Sequence, residues 1–286
     1  MRFAAKGFER LIKSELPGSF VRNICFMKTT LITGASGGIG EAFARRLAAG
    51  GDNVLLVARS EEKLATICNE LGREHGVNAQ YVALDLTTEG AGSRLFEEAQ
   101  RRGLEVETLI NNAGFGSMGD FINLDLEHEL RMIDLNIKSL VDLTYRFLAP
   151  MRERRSGSII NVASTAGFQP VPFMTTYAAT KAFVLSFSIG LWEENRPFNV
   201  HVMALCPGVT ETNFFEASNI DKPPMRSSET PEQVVETAML GLKRRRSHII
   251  SGWSNYLLTE SERLVPRRLV ARVVGSALRS RYQKKQ

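Results

Sequence analysis

From Met27 onward the sequence predicts an α/β fold, a doubly wound parallel sheet in three layers forming a single domain with a basic helical tail. Three observations carry this. Short β-rich runs alternate with longer amphipathic segments, the runs are apolar on both faces, and no repeat or low-complexity linker divides the chain. A sheet covered by helices on both sides needs strands of that kind. With 286 residues, 43% hydrophobic and 23% charged, the chain can bury a sizeable core, and wholesale disorder is excluded.

Residues 28–33 form the first predicted strand, followed by a glycine turn and a helix with Phe43, Leu47 and Ala48 on one face. Residues 53–58 give a second strand, a helix begins near Glu61, and residues 80–85 give a third strand. Strands at 106–111 and 157–163 flank one long helix running through Leu135 and Leu148. A helix over 177–194 then leads to strands at 198–206 and 248–250. Residues 1–26 do not share this rhythm. They read either as a loosely packed arm or as a product of start-site choice, since Met27 would itself serve as a beginning.

Other classes of protein fit poorly. Cys25, Cys68 and Cys206 are odd in number and widely spaced, as in reduced thiols of a cytoplasmic protein. His75, His128, His201 and His248 lack metal-ligand spacing, so no metal is expected. No apolar run reaches a membrane-spanning length, and charges at Lys6, Glu9, Arg10, Lys13 and Glu15 interrupt any signal peptide. The net charge of +5 is concentrated in the run from Lys243 to Arg246 and in the tail after Arg263, a pattern that does not call for nucleic acid.

The run Thr33-Gly34-Ala35-Ser36-Gly37-Gly38-Ile39-Gly40 joins the first strand to the first helix. Gly34 suits a tight turn, Gly38 lets a pyrophosphate approach the backbone, and Gly40 lets helix and sheet pack closely. The helix N-terminus offers N–H donors and a positive dipole end to phosphates. A glycine-rich connection without a ligand is the weaker reading of three glycines so spaced between strand and helix.

At this turn the chain resembles the classical branch of the short-chain dehydrogenase/reductase family, which carries T-G-x-x-x-G-x-G. The resemblance recurs at Asp85, at Asn111-Asn112-Ala113-Gly114, at Asn136, at Ser164, at Tyr177-x-x-x-Lys181 and at Pro207-Gly208, in the family's order. It implies a Rossmann-type fold over residues 27–252, an oxidoreductase that moves a hydride between a nicotinamide and a carbonyl or alcohol carbon, and a small-molecule substrate. It also implies a homodimer or homotetramer. Within the family the chain is similar to the bacterial acyl-carrier-operon type, whose members often end in a comparable basic helix.

At the end of the second strand, where an NAD site places a carboxylate for the ribose 2′-hydroxyl, the chain has Ala58 followed by Arg59. A guanidinium there pairs with a 2′-phosphate, so NADP(H) is the expected cofactor. The resemblance places Ser36 and Ile39 in the phosphate turn and Asp85 with Leu86 at the adenine. It sets Asn112, Ala113 and Gly114 along the adenosine ribose, and Pro207, Gly208 and Thr212 at the nicotinamide.

Reduction of a ketone requires a proton for the developing alkoxide, and a free tyrosine titrates near pH ~10. Lys181, one helical turn from Tyr177, would lower that value by its charge. Ser164 lies at a strand end, where its hydroxyl can steady the substrate oxygen. Tyr177 is therefore expected as acid–base, Lys181 as its tuner and ribose anchor, and Ser164 as substrate orienter. By resemblance Asn136 supports a proton relay. Taken singly, each has an ordinary structural explanation; their combination behind a nucleotide turn carries the assignment.

Residues 213–230 lack periodicity and read as a substrate lid. Phe214, Phe215, Pro223, Pro224 and Met225, with Phe115, Met118, Phe173 and Met174, suit either an apolar pocket or simple packing of the lid. In the tail, residues 253–286, Leu264, Val265, Leu269, Val273, Val274 and Leu278 are expected to share one helical stripe beside Arg267, Arg268, Arg272 and Arg279. Such a helix packs on its own domain, on a second subunit, or on an anionic membrane surface. Two rival functions remain at this level: an NADP(H)-binding regulatory or scaffold protein without turnover, and a membrane-surface lipid carbonyl reductase.

Overall fold

The computed structural model describes residues 26–212, 214, 228–262 and 264–282. Among them, seven strands form one parallel sheet: β1 (Met27–Thr33), β2 (Val54–Ala58), β3 (Ala79–Ala83), β4 (Leu104–Asn111), β5 (Gly157–Val162), β6 (Val200–Cys206) and β7 (His248–Ile250). Their spatial order is β3-β2-β1-β4-β5-β6-β7. The chain starts in the middle, winds outward to β3, then crosses to β4 and winds the other way. The reversal between β1 and β4 opens a crevice beyond the carboxyl ends of the strands, which is where such sheets bind ligands.

Alternation along the strands builds two cores. Ile32, Val54 and Leu56 face one side, against Phe43 and Leu47 of α1 (Gly38–Ala49), Leu64 and Leu71 of α2 (Glu61–His75) and Val234 of a later helix. Leu31, Leu55 and Val57 face the other side, with Leu95 of α3 (Ala91–Arg101) and, beyond α4 (Leu126–Ile133), Phe147 and Met151 of α5 (Leu140–Glu153). On that second side, Val184 and Leu185 of α6 (Thr175–Asn195) pack with Ala204 and Cys206. Apolar residues on both faces of each strand thus yield three layers, as expected. The helix carrying Val234, α7 (Pro231–Lys243), starts at a reciprocal capping box between Thr230 and Gln233, with Pro231 in its first turn.

The predicted strands are all present. Helices α3 and α7 were not anticipated, and the single long helix expected between β4 and β5 is interrupted. A π turn at Asp134–Ser139 separates α4 from α5 and contains Asn136. The tail departs further from expectation. Pro266 divides it into α8 (Trp253–Glu262) and α9 (Arg267–Tyr282), so Leu264 and Val265 lie in the connecting turn. Leu269 and Val273 are exposed, whereas Val274 and Leu278 are half-buried and Gly275 is buried. Two stripes, each of four-residue spacing but offset from one another around the helix, replace the one expected. Among the described residues, no helix is long and apolar enough to cross a membrane, and no cluster of candidate ligands suits a metal ion.

Candidate active site

Residues from six strand ends converge on the crevice. The turn after β1 carries Gly34 at φ 65° and Gly38 at φ 57°. A methyl group at Gly34 would meet Asn112 Nδ2 at 2.8 Å and the Ala113 Cα at 2.9 Å, so the turn needs glycine for space as well as for its backbone angle. At Gly40 a methyl group would strike the Gly34 carbonyl, and at Gly38 it would come within 3.0 Å of the Thr212 methyl. Thr212, after β6, therefore faces the glycine turn across the groove. No side chain caps the N-terminus of α1. Uncapped N–H groups, a positive helix end and a floor kept clear of side chains fit the phosphates of a dinucleotide. Ser36 lies half-buried in this turn, and Ile39 packs onto the core beneath it.

Asn112 holds the turn in place. Its Nδ2 donates to the carbonyls of Thr33 (2.9 Å) and Gly34 (3.2 Å), while the backbone N–H groups of Asn112 and Ala113 donate to Thr33 Oγ1 at 3.0 Å each. This side chain is a brace between β1 and β4. Thr33 is its counterpart, a role the sequence did not reveal.

Arg59 stands exposed at the end of β2. Burial raises the Asp85 carboxyl, but hydrogen bonds from Thr87 N (2.9 Å) and Thr87 Oγ1 (2.7 Å) and the charges of Arg59 and Arg131 bring it below its ordinary value. Asp85 is thus an anion set among guanidinium groups. Arg131, from α4, is a contributor that sequence reasoning missed, because α4 lies far along the chain. Leu86 is buried beside Asp85 in the core.

The four polar residues expected to do chemistry are all at least nine-tenths buried and lie at one end of α6. Ser164, just after β5, accepts from Ala166 N at 3.1 Å and donates to the Pro207 carbonyl at 3.4 Å, which ties it to the loop after β6. Burial pushes the Tyr177 phenol up to about 12, and a side-chain hydrogen bond with Ser164 works against that rise. Lys181 Nζ lies 5.7 Å from the Tyr177 ring centre and donates to the Val162 carbonyl at 2.8 Å. Burial pushes this lysine down to about 8, with the Cys206 thiol opposing the shift. The lowering of the tyrosine by the ammonium is not seen in the protein alone: removal from water governs both groups and drives each toward its neutral form.

Asn136 Oδ1 accepts from Phe115 N at 3.2 Å, and its Nδ2 donates to the Phe115 carbonyl at 2.9 Å and to Thr180 Oγ1 at 3.1 Å. A methyl group on Gly114 would meet Asn136 Oδ1 at 2.9 Å and Lys181 Nζ at 3.6 Å, so these three groups share one corner. Behind the site, Asn111 Nδ2 donates to Asn161 Oδ1 (2.9 Å) and Thr144 Oγ1 (3.1 Å), and Asn161 Nδ2 to Ser188 Oγ (3.0 Å). This buried chain links β4, β5, α5 and α6. Gly208 abuts the Asn255 side chain, which donates to the Ser251 carbonyl at 2.7 Å, so α8 buttresses the loop after β6.

Phe214 lies across the mouth. Its ring centre is 5.5 Å from that of Tyr177, and a methyl group at Gly116 would touch both rings. Phe115 instead meets His128 edge-on at 4.8 Å. Phe173, at φ 67°, accepts a backbone bond from Gly119 N at 2.8 Å. Except for Phe214 and residues 228–230, the expected lid lies outside the described residues.

Comparison with known proteins agrees with this geometry. A family model described as short chain dehydrogenase matches residues 28–223. A very-long-chain 3-oxoacyl-CoA reductase-B from Danio rerio is 33% identical over 282 residues, covering 94% of this chain and 87% of its own length. A 17-beta-hydroxysteroid dehydrogenase type 3 from Mus musculus is 37% identical over 210 residues, covering 72% and 67%. Among solved structures, a short-chain dehydrogenase from Sphingobium yanoikuyae in complex with NADPH aligns with a TM-score of 0.75 at 31% identity, covering 91% of this chain and 98% of that one.

Proposed function

The chain belongs to the short-chain dehydrogenase family, oxidoreductases acting on CH–OH and C=O groups, and from that premise we propose that it reduces an apolar ketone with NADPH, Tyr177 delivering the proton. The observation that carries this is the buried group of Ser164, Tyr177, Lys181 and Asn136 at the carboxyl ends of the strands, beside a glycine turn shaped for phosphates.

Gly34, Gly38 and Gly40, with the N-terminus of α1 and Thr212, would hold the pyrophosphate. Arg59 would pair with the 2′-phosphate and Asp85 with the adenine. Asn112, Ala113 and Gly114 would line the ribose, and Pro207 and Gly208 the nicotinamide. When bound, the reduced nicotinamide supplies the hydride. The structure neighbour in complex with NADPH and the lack of an acid at Ala58 both support the phosphorylated cofactor.

The protein's own part is to place the carbonyl and protonate it. Ser164 donates a hydrogen bond to the substrate oxygen, turning from its long bond to Pro207. Tyr177, held protonated by burial, gives its proton to the oxygen as negative charge develops there. Lys181 anchors the ribose and, as an ammonium, stabilises the phenolate left behind. Asn136, fixed by three hydrogen bonds in the π turn, positions the corner through which Lys181 exchanges protons. Phe214 across the mouth supports an apolar substrate, as do relatives named for a long-chain 3-oxoacyl thioester and for a steroid.

We place the enzyme in the cytoplasm: free, buried Cys68 and Cys206 fit a reducing compartment. Exposed Leu126, Leu130 and Ile133 on α4 offer a face for self-association as a homodimer or homotetramer. The functional organisation that follows is a catalytic domain over residues 27–252 with the tail appended. A screen of NADPH oxidation over aldehydes, bulky ketones and 3-oxoacyl thioesters tests the reading. Turnover is expected with the bulky apolar carbonyls and NADPH. No turnover with any member, or equal rates with NADH, would count against it.

A further inference from the structure

The tail helix α9 has two faces with different surroundings. Its inner face rests on the rim of the cleft. Gly275 is buried, and a methyl group there would meet Pro172 at 3.4 Å; the Tyr282 ring lies 5.9 Å from that of Phe173. Gly275 and Tyr282 are seven residues apart, two turns of helix, so one stripe makes both contacts. The segment they touch, residues 172–173, lies just ahead of Tyr177 and is tied by Phe173 to Gly119 on the opposite rim.

The outer face has a different composition. Val273 is 63% exposed and Leu269 49%, and Leu264, in the turn just before the helix, is 88% exposed. Beside them Arg267, Arg268, Arg272 and Arg279 are exposed, and residues 264–286 contain no Asp or Glu. Large exposed apolar side chains within a turn of exposed arginines, with no acidic residue to repel anions, are complementary to a surface that is negative at the headgroups and apolar just beneath. A protein partner would have to match both features at defined points, whereas a bilayer offers them continuously.

We propose that α9 and the turn before it dock the protein on an anionic phospholipid surface, with Leu264, Leu269 and Val273 entering the headgroup boundary and the arginines pairing with lipid phosphates and carboxylates. Because the inner face of the same helix sits on the rim, docking brings the mouth of the cleft to the membrane. An apolar carbonyl compound dissolved in the bilayer then has a short path to Tyr177. The docking surface stands on the helix geometry; only this last consequence rests on the reductase reading.

Vesicle flotation of the full chain tests it without any turnover. The protein should float with phosphatidylcholine vesicles containing about a third phosphatidylserine, stay behind with pure phosphatidylcholine, and be released by high salt. Arg268→Gln with Arg272→Gln should weaken partitioning about 25-fold, five-fold for each charge removed. Leu269→Glu with Val273→Glu should abolish it, while NADPH-dependent reduction of a water-soluble ketone stays at the wild-type rate. Failure to float with anionic vesicles would overturn the proposal, as would flotation unaffected by either pair of substitutions. So would a concentration-dependent dimer that the glutamate pair disperses, since a second copy would then own this face.

Discussion

In the proposed reaction, two buried titratable residues carry the chemistry at the scale of single side chains. Burial holds Tyr177 protonated, as a proton donor requires, but it also pulls Lys181 down to about 8 from an ordinary 10.5. The ammonium is therefore present below that value and lost as pH rises through it, so the rate of ketone reduction should fall on the alkaline side with a midpoint near pH 8. Lys181→Met should be much slower and should lack this limb. A limb unchanged in the variant would show that another group titrates. The linkage has a matching sign: between about 8 and 10.5 the unfolded chain binds more protons at Lys181 than the folded one, so this residue makes stability rise with pH across that window. Tyr177, Lys181 and Ser164 stood out in the sequence as candidates through their spacing behind a nucleotide turn, and Asn136 through the family resemblance; the structure brings all four together. The upward shift of Tyr177 was not legible there, since it depends on how completely the fold excludes water. Arg59 was legible from its position after β2, and Arg59→Asp should move cofactor preference from NADPH toward NADH in the ratio of kcat/KM values. An unaltered ratio would remove Arg59 from the 2′-phosphate site.

Strand and helix elements were readable where periodicity is strong. All seven strands follow from runs apolar on both faces, with the winding reversal between β1 and β4 that places the site. The π turn at Asp134–Ser139 was invisible, because one extra residue in a helical turn does not disturb the apolar pattern enough to be seen. The polar chain from Thr144 through Asn111 and Asn161 to Ser188 was invisible too, since it joins residues of four elements brought together by the fold. Asn161 is fully buried, and Asn161→Ala would leave its partners short of hydrogen bonds at a cost of roughly 1–3 kcal/mol, measurable as a lower urea midpoint. Thr230→Ala, which removes half of the capping box on α7, should cost about 1 kcal/mol by the same assay. A midpoint unmoved by the first change would mean that the network carries no stability.

For the whole molecule, the reversal of winding gathers six strand ends around one crevice, and the closing segments after β6 complete it. Thr212 faces the glycine turn and Phe214 crosses Tyr177, while α8 supports Gly208. The tail was legible as basic and helical, but its division at Pro266 into an element that braces the loop and one that rests on the rim required three dimensions. Cofactor binding should couple to global stability: at a hundredfold excess over Kd, NADPH should stabilise the fold by about 2.7 kcal/mol, raising Tm, and NADH at equal concentration should raise it less. Equal shifts would speak against a 2′-phosphate site. The most direct test of the central claim is a paired measurement on Tyr177→Phe, with NADPH affinity read by fluorescence and reduction of a ketone followed over a single turnover. The account predicts near wild-type affinity with reduction lost; a Phe variant that reduces at the wild-type rate would contradict it.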